Sequence, residues 1–226
     1  MSAGATLQLI AEVGIIPSVR ALSAADARFA AETVHAAGIS VVEITMTTPN
    51  AMEVIAGLAR SLPELLVGAG SVLEPLTARQ CVDAGARFVA SPGFDRALVE
   101  LTMKKGALAL PGALTPSEVM AARQAGVKAI KVFPCGEFGG PGYIKALKAP
   151  FPHMQFVAAG GVNQQTAADF IRSGAMAIGV GTELIPRQAI QQRDREWITE
   201  LAHRFRHLVH DARGGAAAQD EAFDWR

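Results

Sequence analysis

The sequence predicts an α/β protein: one closed (βα)8 TIM barrel with a short helix ahead of its first strand. Three observations predict it. First, a beat recurs in which a helix-like stretch ends at a glycine and an apolar or β-branched run follows, as in "HAAGISVVEI", "VDAGARFVAS", "KKGALALPG", "RQAGVKAIKVF" and "RSGAMAIGVG". Glycine suits the residue after a helix because it takes positive φ without a Cβ clash. The glycines are Gly38, Gly85, Gly106, Gly126 and Gly174, separated by 47, 21, 20 and 48 residues, that is, by one or two βα units. Second, the beat leaves eight strand candidates: Ile15–Val19, Ile39–Thr45, Leu65–Ala69, Arg87–Ala90, Ala107–Leu110, Val127–Phe133, Gln155–Ala158 and Met176–Val180. Strands that alternate with helices pair in parallel through right-handed crossovers. Third, 226 residues at 50% hydrophobic content suffice for one large core of this kind.

The elements between the strands carry legible signals. Thr6–Val13 reads as a short helix that closes the bottom of the barrel. Ser23 and Asn163 are candidate helix caps. Thr115-Pro116-Ser117-Glu118 is a capping box with proline at the first helical position. One domain spans 1–212, and 213–226, "RGGAAAQDEAFDWR", reads as a disordered tail. The rival architecture is an open doubly wound sheet. It is weakened because the first glycine-rich turn, "GAGS" at 68–71, is not a GxGxxG opening a helix.

Composition excludes several function classes. Twenty-one basic and 21 acidic residues cancel, which gives no electrostatic argument for nucleic acid or anionic membranes. No apolar run is long enough for a membrane span, and the N-terminus lacks a signal-peptide pattern. The two cysteines, Cys81 and Cys135, match neither metal-ligand spacing nor a disulfide framework, so a reduced, cytoplasmic setting is expected.

Within "KAIKVFP", Lys131 stands in a run that otherwise reads as a buried strand. An ammonium is costly to bury unless it is paired or loses its proton. Alternation places Ala129, Lys131 and Phe133 on one face, with Ile130 and Val132 on the other. Only the parity that turns the apolar pair toward the helices makes sense, so Lys131 faces the interior. By the same parity Val41, Glu43 and Thr45 point inward, and a carboxylate shares the interior with the lysine. A structural ion pair is the plain alternative, but buried pairs stabilise poorly. The functional reading is a lysine that attacks a carbonyl to form a Schiff base, with Glu43 moving protons beside it.

Two loops suit an anion. "AAGGVN" at 158–163 follows the seventh strand and "GVGTEL" at 179–184 the eighth. Glycines there, Gly160, Gly161 and Gly181, let backbone N–H groups approach a phosphate, and barrels commonly hold phosphate after these strands. Arg20, at the end of the first strand, suits a carboxylate, with a solvated strand end as the alternative. Cys135 has no histidine partner in view and reads as a loop filler. His203, His207 and His210 share helical spacing and read as a solvated face. No metal or cofactor is expected.

Several stretches together resemble a known family, the class I aldolases acting on 2-keto-3-deoxy-6-phosphogluconate and 4-hydroxy-2-oxoglutarate. They are "VVEITMTTPNA", "VGAGSVL", "ASPGFD", "LPGALTPSE", "IKVFP", "GPGYIKALKAPFP" and "AAGGVN", and they cover most of the chain. The resemblance implies a homotrimer of (βα)8 barrels with Lys131 as the Schiff-base lysine and Glu43 as the acid/base. It also implies Phe133 against the methyl end of pyruvate and Ser71 in place of a threonine on the carboxylate side. Gly160, Gly161 and Thr182 fall at its phosphate-binding positions. Thr47 occupies a position that is arginine in some members, whereas Arg20 matches the strand-one arginine of others. Ala158-Ala159 replaces a proline-threonine pair, which leaves the gluconate and galactonate epimers both open. The implied substrate is a phosphorylated 2-keto-3-deoxy sugar acid cleaved to pyruvate and glyceraldehyde 3-phosphate. A phosphosugar isomerase or epimerase and a non-catalytic anion-binding barrel are the competing readings.

Overall fold

The computed structural model describes residues 1–220. Nine strand segments form one parallel sheet: β1 (Ile15–Val19), β2 (Val41–Thr45), β3 (Leu66–Gly70), β4 (Phe88–Ala90), β5 (Leu108–Leu110), β6 (Gly112–Ala113), β7 (Ala129–Val132), β8 (Gln155–Ala159) and β9 (Ala177–Val180). Their order is β5-β4-β3-β2-β1-β9-β8-β7-β6. The two end members are consecutive in the chain and separated by Pro111 alone. They are therefore two halves of one barrel staff, and the expected eight-staff barrel closes there. Leu108–Leu110 pairs with β4, and beyond the proline Gly112 and Ala113 pair with β7. Proline has no N–H to give, but its carbonyl still serves the ladder by accepting from Lys131 N at 2.9 Å. The predicted strands hold in number and order. Most are trimmed by a residue or two, and the fifth runs on past Pro111.

The pleat sorts side chains into two cores. Outward positions such as Val42, Ile44, Ile130, Val132, Phe156 and Ile178 pack under the helices. Inward positions Ile16, Val41, Leu66, Phe88, Leu108, Ala129, Val157 and Ala177 fill the lower interior. Helix α1 (Ala3–Val13) plugs the bottom with Ile10, as the sequence predicts. Ser2 Oγ caps that helix by accepting from Ala5 N at 3.2 Å.

Two of the three cap signals mark helix starts. Ser23 Oγ accepts from Asp26 N at 3.1 Å at the start of α2 (Ala24–Ala36). The remaining helices in order are α3 (Ala51–Ser61), α4 (Pro75–Asp83), α5 (Arg96–Lys104), α6 (Pro116–Gln124), α7 (Gly140–Lys148), α8 (Ala167–Arg172), α9 (Arg187–Gln191) and α10 (Arg195–Asp220). Thr115 and Glu118 complete the capping box of α6. Asn163 Oδ1 accepts from Gln165 N and Thr166 N at 3.0 Å each. It thus caps a turn that precedes α8 rather than the helix itself.

Of the tail expected over 213–226, residues 213–220 belong to a helix. Helix α10 runs through Asp220, and the Arg213 guanidinium donates to the carbonyls of Ala11, Glu12 and Met176. A cation on the last carbonyls of α1 suits the negative end of that helix. The rest of the expected tail, 221–226, lies outside the described residues. No described helix is long and apolar enough to cross a membrane.

Candidate active site

Lys131 and Glu43 meet above the apolar filling of the barrel, on β7 and β2. Lys131 Nζ lies 3.5 Å from Glu43 Oε2, and the two side chains are 10% and 3% exposed. Each sits two residues beyond an apolar inward neighbour, Ala129 or Val41, so the strand period alone turns both into the same space. The second carboxylate oxygen is occupied as well: Ser18 Oγ on β1 donates to Glu43 Oε1 at 3.0 Å. Gly70 makes the room. A Cβ there would stand 2.2 Å from Glu43 Oε1, so the glutamate lies where any other residue would put its side chain.

A cavity of about 270 Å³ opens over Lys131. Lys131, Phe133, Gly160, Gly161, Gly181, Thr182 and Arg20 all line it. Seven of the nine residues singled out in the sequence thus line one cavity. The Phe133 ring centroid is 5.5 Å from Lys131 Nζ and forms a wall beside the amine. Ser71 lines an adjoining cavity of about 400 Å³ with Thr47 and Arg187, and Arg20 borders both spaces. Ser71 also holds a left-handed backbone (φ 56), which turns the chain sharply at the end of β3.

The glycine loop after β8 is tied to the lysine strand by its backbone. Cys135 N donates to Ala159 O at 2.8 Å and Gly136 N to Gly160 O at 2.7 Å. Gly160 has φ +80, and a Cβ on it would come within 3.0 Å of the Phe133 ring and 2.9 Å of Pro134 Cα. Only glycine lets the two segments pass so closely.

Cys135 is buried, and burial pushes its thiol up to about 11. A thiol with so little thiolate at neutral pH is a poor nucleophile, which agrees with its reading as a filler. His203, His207 and His210 are exposed on α10. They line a larger cavity of about 710 Å³ with residues of α1, at the end of the barrel away from Lys131. No group of His, Cys, Asp and Glu among the described residues suits a metal.

Four residues near the site escaped the sequence reading. Ser18, Asn163 and Glu183 line the smaller cavity, and Arg187 the adjoining one. The signal for Ser18 was present: it shares the inward parity of Ile16. Arg187 carried none, because only the packing of α9 brings it to the rim.

Comparison with known proteins agrees with this geometry. The 2-dehydro-3-deoxy-phosphogluconate aldolase of Pseudomonas aeruginosa is 33% identical over 195 residues, covering 86% of this chain and 88% of its own. The KHG/KDPG aldolase of Escherichia coli K12 is 33% identical over 172 residues, covering 76% and 81%. The KDPG aldolase of Legionella pneumophila, solved with pyruvate captured at low pH as a covalent carbinolamine intermediate, superposes with a TM-score of 0.82. It is 32% identical and covers 87% of this chain and 96% of that one. The family model described as KDPG and KHG aldolase matches residues 7–201, and the chain belongs to that aldolase family.

Proposed function

We propose that the protein is a class I aldolase that reversibly cleaves 2-keto-3-deoxy-6-phosphogluconate to pyruvate and glyceraldehyde 3-phosphate. The observation that carries this is the buried Lys131–Glu43 pair at 3.5 Å, whose lysine lines a cavity together with two glycine loops. Lys131 adds its lone pair to the C2 ketone, and the carbinolamine loses water to give an iminium. Glu43, through a water, takes the C4 hydroxyl proton. The O–H electrons become the aldehyde C=O, the C3–C4 bond breaks, and its pair flows through C3=C2 to the iminium nitrogen. Glyceraldehyde 3-phosphate leaves. Protonation of the enamine at C3 and hydrolysis then release pyruvate and restore the amine.

The remaining residues divide the substrate between them. Phe133 walls the methyl end, while Arg20 and Ser71 take the carboxylate side, with Arg20 bordering both cavities. Gly160, Gly161, Gly181 and Thr182 supply the phosphate end. The chemistry needs no metal, because the iminium is the electron sink. Reading the chain as cytoplasmic rests on its two free, buried cysteines. The homotrimer implied by the family is supported by Leu22, Leu73 and Leu76, exposed at 73%, 69% and 60% in the loops and helix start beyond β1 and β3.

The test is borohydride reduction with pyruvate present, followed by intact mass. A pyruvyl adduct that disappears in Lys131→Ala is expected; its absence from the wild type sinks the Schiff-base reading. A second reading, the galactonate epimer as substrate, rests on the Ala159 methyl where many members carry a hydroxyl and on the stretch "FGGPGYIKALKA". Steady-state rates on the two epimers and on 4-hydroxy-2-oxoglutarate separate these readings.

A further inference from the structure

Glu43 is held from three sides, and each side limits it differently. Lys131 approaches Oε2, Ser18 donates to Oε1, and the bare backbone of Gly70 lies against Oε1, Cδ and Cγ. Ser18 and Glu43 are register partners in neighbouring strands, so their side chains rise from the same level of the barrel. Ser18 also lines the cavity. A carboxylate has two equivalent oxygens and about four lone-pair sites. With both oxygens free it could turn about its last bond or close on the lysine with both at once. The serine removes that freedom by engaging one oxygen and leaving the other for the lysine and the substrate.

We infer that Ser18 is a positioning residue for the acid/base carboxylate, fixing which oxygen of Glu43 exchanges protons. This rests on the Schiff-base reading given above. The substrate-side consequence concerns the proton at C3. When pyruvate is bound as the iminium, Glu43 Oε2 takes a methyl proton, the C–H pair becomes the C2=C3 bond of the enamine, and the C2=N pair moves onto nitrogen. In D2O the carboxyl exchanges with solvent, and the return step places a deuteron on the methyl group. Iminium formation needs the lysine, whereas exchange also needs an aimed carboxylate.

The experiment compares wild type, Ser18→Ala and Ser18→Thr with pyruvate alone. Adduct yield is read at the end point of borohydride trapping, and methyl deuteration in D2O by proton NMR. Ser18→Ala is expected to trap the same adduct but to deuterate about tenfold to a hundredfold more slowly, the size of one hydrogen bond to a charged group. Ser18→Thr, which keeps the hydroxyl on a side chain that strands accept, is expected to return the rate to near the wild-type value. Ser18→Val, with the shape of threonine and no donor, serves as the contrast if the alanine variant does not fold.

Wild-type deuteration by Ser18→Ala overturns the inference and leaves the Schiff-base reading intact. Equal loss of trapping and exchange also overturns it, since the serine would then serve the whole site. No adduct in the wild type brings down the Schiff-base reading itself, and the inference with it.

Discussion

Two levels of the barrel interior lie one pleat apart and differ in almost every physical respect. On β1, β2 and β7 the lower level holds Ile16, Val41 and Ala129, which share one apolar cluster with Ile10 of α1. Two residues further on, the upper level holds Ser18, Glu43 and Lys131, linked at 3.0 and 3.5 Å. The lower level stabilises by removing apolar surface from water. The upper level puts an ionisable pair where desolvation opposes it. Stability and chemistry are thus assigned to adjacent layers of the same strands, so a substitution can disturb one and spare the other.

The largest effect expected is at the upper level. Lys131→Met abolishes aldol cleavage and, by leaving Glu43 buried without its partner, lowers stability by about 3–5 kcal/mol. The double variant Glu43→Leu/Lys131→Met is equally inactive, yet unfolds in urea at the wild-type midpoint or above it, since packed apolar groups replace a buried pair at no net loss. A double variant weaker than the wild type would show that the pair stabilises the barrel.

At the lower level, Ile16→Ala inverts the pattern. It is expected to cost about 2–5 kcal/mol in chemical denaturation, with kcat retained under conditions where the variant is folded. A fall in kcat would mean that the layers are coupled through β1.

The smallest effect belongs to the outside of the barrel. Backbone N–H groups of Thr115 and then Leu114 hold the Glu118 carboxyl below its usual range. Its contribution is therefore complete above the unfolded-chain value of about 4.3 and fades as pH falls through the lower folded value. Glu118→Gln keeps the capping geometry but not the charge. It should flatten the dependence of the melting midpoint on pH below that range, by about 1 kcal/mol or less, and leave turnover unchanged.

Much of this was legible because a strand has a period of two. The single lysine in "IKVFP" and the single glutamate in "VVEIT" could face only one way once their apolar neighbours were given to the helices. Their distance was not legible, because it depends on register and barrel closure. The same holds for Ser18, whose partner is set by the pairing of β1 with β2 and not by anything in "IIPSV" itself. Pro111 reads as a strand breaker, but only closure shows both halves of its strand in use. Ser71 lines the adjoining cavity at the left-handed turn that ends β3, a placement that its sequence neighbours do not announce. The helical path through Arg213 was hidden by Gly214 and Gly215, weak helix formers whose local preference yields to the docking of Arg213 on α1.

The two backbone bonds from Cys135 and Gly136 to Ala159 and Gly160 fix more than a loop. They join the strand bearing the lysine to the turn offered to the anion, so both ends of the cavity belong to one frame. On the proposed function, the span from the foot of Lys131 to the glycines is then a gauge set by main chain, which only the lysine side chain can adjust. A substrate with its ketone at the amine and its anion at the glycines would be selected by the number of carbons between.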